Sequence, residues 1–156
     1  MAAPDFYFAI NATFRWIHGN WGEEGLQQYW QALGREHYGD VTERFRQGGM
    51  AGVRDYWQAF FDEEPGGDVS VAQDGDTVTI TVRTCPALKH LREHGREIMP
   101  LYCRHCQVVS EAMCAGAGIG VDVAGGGGSC VQTFTQGSVP EGPAAAGAQG
   151  ADPVGE

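Results

Sequence analysis

At Glu64-Pro65-Gly66-Gly67 the hydrophobic period of this 156-residue chain changes. Before that turn signal, apolar residues recur every three or four positions, the spacing of helix faces; after it they alternate with polar ones, the spacing of half-buried strands. A chain ordered in this way has to place a helical block first and a hairpin second, which confines it to an α+β architecture.

The helical block reads in pieces. Phe6, Ile10, Thr13, Phe14 and Ile17 form one stripe, and Asp5 after Pro4 suits an N-terminal cap. Gly19-Asn20 predicts a break, and a second helix is expected from about Gly22 to His37, with Leu26, Tyr29, Trp30 and Leu33 on one face. Gly39, Gly48 and Gly49 punctuate a shorter helix, and Val53, Tyr56, Trp57 and Phe60 make the stripe of the next. Beyond the turn, Val69 and Val71, then Val78, Ile80 and Val82, alternate around Asp74-Gly75-Asp76, a hairpin signal. Cys85-Pro86 predicts a helix start, because proline suits the first helical position, and Gly95 ends that helix near His94. A longer helix is expected from about Ile98 to Ala115. Two strands, Ile119–Val123 and Cys130–Thr135, then flank Gly125-Gly126-Gly127-Gly128. The expectation is a single α+β domain over residues 1–136, an N-terminal helical block with an antiparallel sheet covered by helices. The remainder, 137–156, is rich in Gly, Ala and Pro and has no aromatic residue or positive charge, so it reads as a disordered acidic tail.

Charge and hydropathy narrow the function. A net charge of -10 argues against a nucleic-acid partner or an anionic membrane surface, both of which require clustered positive charge. No apolar run reaches the roughly 18 residues of a membrane span, and the N-terminus lacks the basic region of a secretory signal. The expectation is a cytoplasmic protein with a small-molecule substrate, no nucleic acid and no membrane. The hydrophobic helical block leaves a homodimer open.

In a reducing compartment five cysteines are read as free, metal-binding or reactive thiols before they are read as disulfides. Cys103-Arg104-His105-Cys106 is a CxxC placed early in the helix from Ile98, where residues three apart share a face. Cys85 opens a predicted helix, where free N–H groups and the helix dipole favour thiolate. Cys130 opens a strand straight after four glycines, where backbone can approach a ligand closely. Together Cys85, Cys103, Cys106 and Cys130 are candidate ligands for Zn2+ or an iron–sulfur cluster, although the gaps of 17 and 23 residues match no common zinc-finger spacing. Cys114, after Ala112 and Met113, reads as core. His105 is a candidate base or a residue on the opposite helix face. His90 and His94, one turn apart, could complete a His2Cys2 set but sit in a strongly polar segment, so a solvated face is the stronger reading. His18 and His37 read as structural. Trp16, Trp21, Trp30 and Trp57 read mostly as core, with part of that stripe a candidate pocket wall, and Glu23-Glu24 and Glu63-Glu64 as solvated surface. The glycine-dense stretch lacks the lysine of a phosphate-binding loop, and its GxG follows a helix and precedes a strand, the reverse of a dinucleotide fold.

The segments Arg83-Thr84-Cys85-Pro86, Pro100-Leu101-Tyr102-Cys103 and Gly127-Gly128-Ser129-Cys130 with Phe134 resemble the L-2-amino-thiazoline-4-carboxylic acid hydrolase family, over roughly Val82 to Phe134. A more distant likeness is to 4-vinyl reductase-type ligand-binding domains. The first resemblance implies a small cytosolic enzyme that opens a cyclic, sulfur-containing amino-acid derivative by hydrolysis, with Cys85, Cys103 and Cys130 as the carried-over positions. Where the family commonly has Asp three residues after the middle cysteine, this sequence has Cys106. That removes a candidate general base and completes a set of four thiols. Three readings stay open: a hydrolase acting through a thiolate or thiolate-bound metal, a zinc or iron–sulfur protein, and a non-catalytic small-molecule binding module.

Overall fold

The computed structural model describes residues 4–137, so the predicted tail lies outside the described residues apart from Gly137. The α+β class is as the change of period implies. Helix α1 (Phe6–Ala32) runs through a π-helical turn (Leu33–His37) into α2 (Gly39–Asp62). A hairpin of β1 (Asp68–Asp74) and β2 (Thr77–Thr84) follows, then α3 (Pro86–Glu93) and α4 (Arg104–Ala115). A second hairpin, β3 (Ile119–Gly126) and β4 (Ser129–Gln136), closes the domain. No helix among the described residues is long and apolar enough to cross a membrane.

The two hairpins join through their inner strands into one antiparallel sheet of order β1-β2-β4-β3. Register follows the alternation. Val78, Ile80 and Val82 on β2 lie opposite Phe134, Gln132 and Cys130 on β4, so these six side chains share one face. Val78, Ile80 and Phe134 are fully buried there against Phe45, Met50 and Val53 of α2 and Met113 and Cys114 of α4. A second core joins α1 and α3 through Phe14, Leu26, Trp30, Leu88 and Leu91. Tyr38 and Cys85 pack against both cores.

Local expectations needed correction in several places. The break in α1 falls at Gly22 (φ 68°), not at Gly19-Asn20, and the second helix does not reach His37 as α-helix because its last turn widens to π. The break expected at Gly48-Gly49 is present, since α2 is two helical pieces joined at Gly49, whose φ of 57° and ψ of -149° are not helical. The helix expected from Ile98 begins only at Arg104. Pro100 keeps Met99 out of helical conformation, and the residues up to Cys103 form turns, with the Tyr102 and Arg104 N–H groups donating to Met99 O and Leu101 O. Asn11 then ties the extended segment to α1: its Nδ2 donates to Glu97 O and its Oδ1 accepts the Met99 N–H. Of the tryptophans, Trp30 is fully buried, whereas Trp16 and Trp21 are exposed and meet edge to face at 4.9 Å. Glu64 is buried, contrary to its reading as solvated surface, and accepts a hydrogen bond from the Tyr7 hydroxyl.

Candidate functional site

Between the two cores lies a cavity of about 220 Å³. Each of its thiols arrives by a different local device. Cys85 leaves β2 and caps α3, its N–H donating to Gly128 O at 2.8 Å. The late start of α4 puts Cys103 at the N-cap and Cys106 one turn inside. Cys130, on the buried face of β4 beside Val82, follows from the strand alternation. All four line the cavity, as does His105, so residues singled out on separate elements share one enclosure. Cys114 does not line it and is fully buried, as its core reading required. His90 and His94 are also outside the lining. They pack on Phe8 instead, and His90 is half-buried, where a solvated face had been expected.

The glycine run shapes one side of the enclosure. The tight turn is confined to Gly127-Gly128, because β3 extends to Gly126. Gly125 to Gly128 all have positive φ, and a Cβ on Gly126 would come within 4.0 Å of Cys103 Sγ. The Gly127 N–H donates to Cys103 Sγ at 3.3 Å. Arg92 Nη2 holds the turn by donating to Gly127 O at 2.6 Å.

Electrostatics separate the thiols. Placement at a helix start predicts a lowered pKa for Cys85, and the nearby Leu88 and Ala87 N–H groups do pull it down, but no side-chain hydrogen bond caps the helix and burial outweighs them, pushing the thiol up to about 11. Burial likewise pushes Cys106 up to about 11 and raises Cys130, which Gln132 partly offsets. The neighbouring sulfurs of Cys103 and Cys106 push Cys85 and Cys130 up further. Cys103 is distinguished by geometry: its sulfur takes a backbone N–H at the head of a helix, an arrangement that stabilises negative charge on an acceptor. His105 Nδ1 donates to Tyr102 O, leaving Nε2 as acceptor 3.8 Å from Cys106 Sγ, and burial lowers its pKa so that the ring is neutral.

No family model, curated protein or solved structure matches the chain. Its chemistry therefore has to be argued from its own geometry. Among the described residues no three His, Cys, Asp or Glu side chains are placed to hold one metal ion, so the four thiols share a space without forming a closed cage.

The sequence reading allowed part of the tryptophan stripe to wall a pocket, as Trp57 does, but it missed the rest of the aromatic wall. Tyr38, Tyr56, Trp57, Phe60 and Phe61, from the end of the π turn and the second half of α2, form its aromatic side, and Tyr7 of α1 completes it near Cys85. The signal available was the cluster Tyr56, Trp57, Phe60 and Phe61, denser than one helix stripe needs.

Proposed function

We propose that the chain is a small-molecule hydrolase in which Cys103 attacks an electrophilic ring carbon, as the resemblance to thiazoline-carboxylate hydrolases suggests. The observation that carries this reading is the hydrogen bond from Gly127 N–H to Cys103 Sγ inside a cavity lined by three further thiols. A thiolate is an effective nucleophile when charge on sulfur is stabilised. Cys103 Sγ forms a bond to the carbon of a ring C=N group, and the ring nitrogen takes the proton of that thiol. The ring C–S bond then breaks as the C=N bond re-forms, the departing sulfur takes the N–H proton, and the carbon is left joined to Cys103 as a thioimidate. Water adds to the same carbon with one of its protons going to the nitrogen, the bond to Cys103 breaks as the amide carbonyl forms, and the remaining hydroxyl proton returns to the Cys103 sulfur. The neutral His105, facing Cys106 on the same turn, is the group suited to relay that proton. Cys85 and Cys130 bound the space around the reacting carbon.

A zinc or iron–sulfur site held by Cys85, Cys103, Cys106 and Cys130 is the second reading, supported by the four thiols lining one cavity. As arranged here they do not converge on one ion, so no step is assigned to a metal. Metal and acid-labile sulfide analysis of protein purified without oxygen tests it directly.

The hydrolase reading is tested by following amide formation by NMR with a panel of cyclic thiazolines and amidines. Turnover that Cys103→Ser abolishes, and that Cys114→Ser retains, is the expected result. Full turnover in Cys103→Ser, or none in the unaltered protein, contradicts it.

A further inference from the structure

The charges around the cavity narrow what it can hold. Among the described residues that line it there is no Lys, Arg, Asp or Glu. Arg92, which touches the glycine turn, is committed to Gly127 O and lies outside the lining, and Arg104 pairs with Glu23. The buried carboxylate of Glu64 is taken by the Tyr7 hydroxyl. An ion entering this space would forfeit hydration worth several kcal/mol with no counter-charge to offset it.

Shape and size add to the charge argument. The same cavity is lined by the rings of Tyr38, Tyr56, Trp57, Phe60 and Phe61, suited to the face of a flat molecule. The volume of about 220 Å³ exceeds by about half the roughly 150 Å³ of an apolar cavity that takes benzene. That is room for one substituted ring or two small fused rings.

We infer that the cavity takes an uncharged, flat, ring-sized molecule whose apolar face lies on the aromatic wall, and that it discriminates against the carboxylate-bearing form of the same ring. The orientation of the electrophilic carbon toward Cys103 rests on the hydrolase reading above; the charge preference does not.

Benzothiazole and benzothiazole-2-carboxylate are a matched pair, neutral and anionic at neutral pH. Calorimetric titration of the full chain is expected to show benzothiazole binding at least about ten-fold tighter, since burying the unpaired carboxylate costs several kcal/mol. Phe60→Ala, at a side chain 40% exposed and so removable without unfolding, is expected to weaken benzothiazole about three-fold or more through loss of ring contact. Trp16→Ala, which removes an exposed ring outside the lining, should bind it as the unaltered protein does. Equal or tighter binding of the carboxylate, binding of neither, or indifference to Phe60→Ala overturns the inference. Cys103-dependent turnover of an anionic thiazoline would also overturn it while upholding the hydrolase reading. Selective benzothiazole binding with no ring hydrolysed at all would uphold it while removing that reading.

Discussion

Gly127 and Cys103, twenty-four residues apart, are joined by a hydrogen bond from backbone N–H to sulfur at 3.3 Å. The bond exists because α4 begins only at Arg104, leaving Cys103 at its head, and because the β3–β4 turn is glycine throughout. Arg92 fixes that turn from α3. Three elements therefore converge on one sulfur.

Gly128 is where this arrangement is easiest to disturb. Its φ is +121°, and an added Cβ would lie 2.9 Å from Arg92 Nη1. Gly128→Ala is expected to lower stability by about 1–3 kcal/mol, the usual range for backbone held in a region L-residues avoid, and to shift the Gly127 N–H away from Cys103. Thermal melts check the first effect and turnover the second. Gly75→Ala, in a hairpin where a Cβ meets nothing within 4 Å, is the control that should lose stability but not activity.

Tyr7 and Glu64 form a buried pair 57 residues apart that anchors α1 to the end of α2. Removing the donor leaves a buried carboxylate unsatisfied, so Tyr7→Phe is expected to cost about 1–3 kcal/mol. Tyr7→Phe combined with Glu64→Leu, which removes both polar partners, should recover much of that loss in chemical denaturation. A Tyr7→Phe variant as stable as the parent would contradict the pairing.

The raised thiols set a pH window. Cys85 and Cys106 hold their protons in the folded state up to about 11, whereas an unfolded thiol releases its proton near 9. The folded state thus binds more protons between those values, and its stability is full below about 9 and falls as pH rises toward 11. Cys106→Ala should flatten that decline in melting temperature. His105 acts at the other end, since burial lowers its pKa and stability is lost as pH falls below the ordinary histidine value of about 6.5.

Gly34 marks where the π turn meets α4. A Cβ there would come within 2.6 Å of Val109 O and of Ala112 Cβ. Gly34→Ala has backbone on one side of the clash, so it is expected to cost about 1–3 kcal/mol by overpacking, read as a lowered denaturation midpoint. An unchanged midpoint would mean that α4 shifts freely, which the burial of its own Met113 and Cys114 in the sheet core argues against.

The parts legible in the sequence were those encoded by short-range periodicity. Alternation through Val78, Ile80 and Val82 predicted the first hairpin, and the pairing of Val82 with Cys130 carried a candidate thiol to the inner face. Proline placement announced the head of α3 at Cys85, whereas Pro100 lies four residues ahead of the observed start of α4 at Arg104, so the same rule does not give that start. What periodicity did not encode was long-range pairing. Tyr7 with Glu64 and Asn11 with the Glu97–Met99 backbone depend on which elements meet, and no local pattern records that. The Cys85 thiol pKa was misread for a related reason: the helix start is local and visible, whereas the burial that outweighs it comes from α1, α4 and the sheet together.

The most direct test of the central claim is intact-mass analysis, with peptide mapping, of the protein quenched in acid during exposure to 2-methyl-2-thiazoline, a neutral ring with an electrophilic C=N carbon. A covalent adduct on the peptide carrying Cys103, absent in Cys103→Ser and unaffected by Cys114→Ser, is the result predicted. An adduct confined to Cys85, Cys106 or Cys130, or turnover that proceeds with no adduct on Cys103, would contradict it.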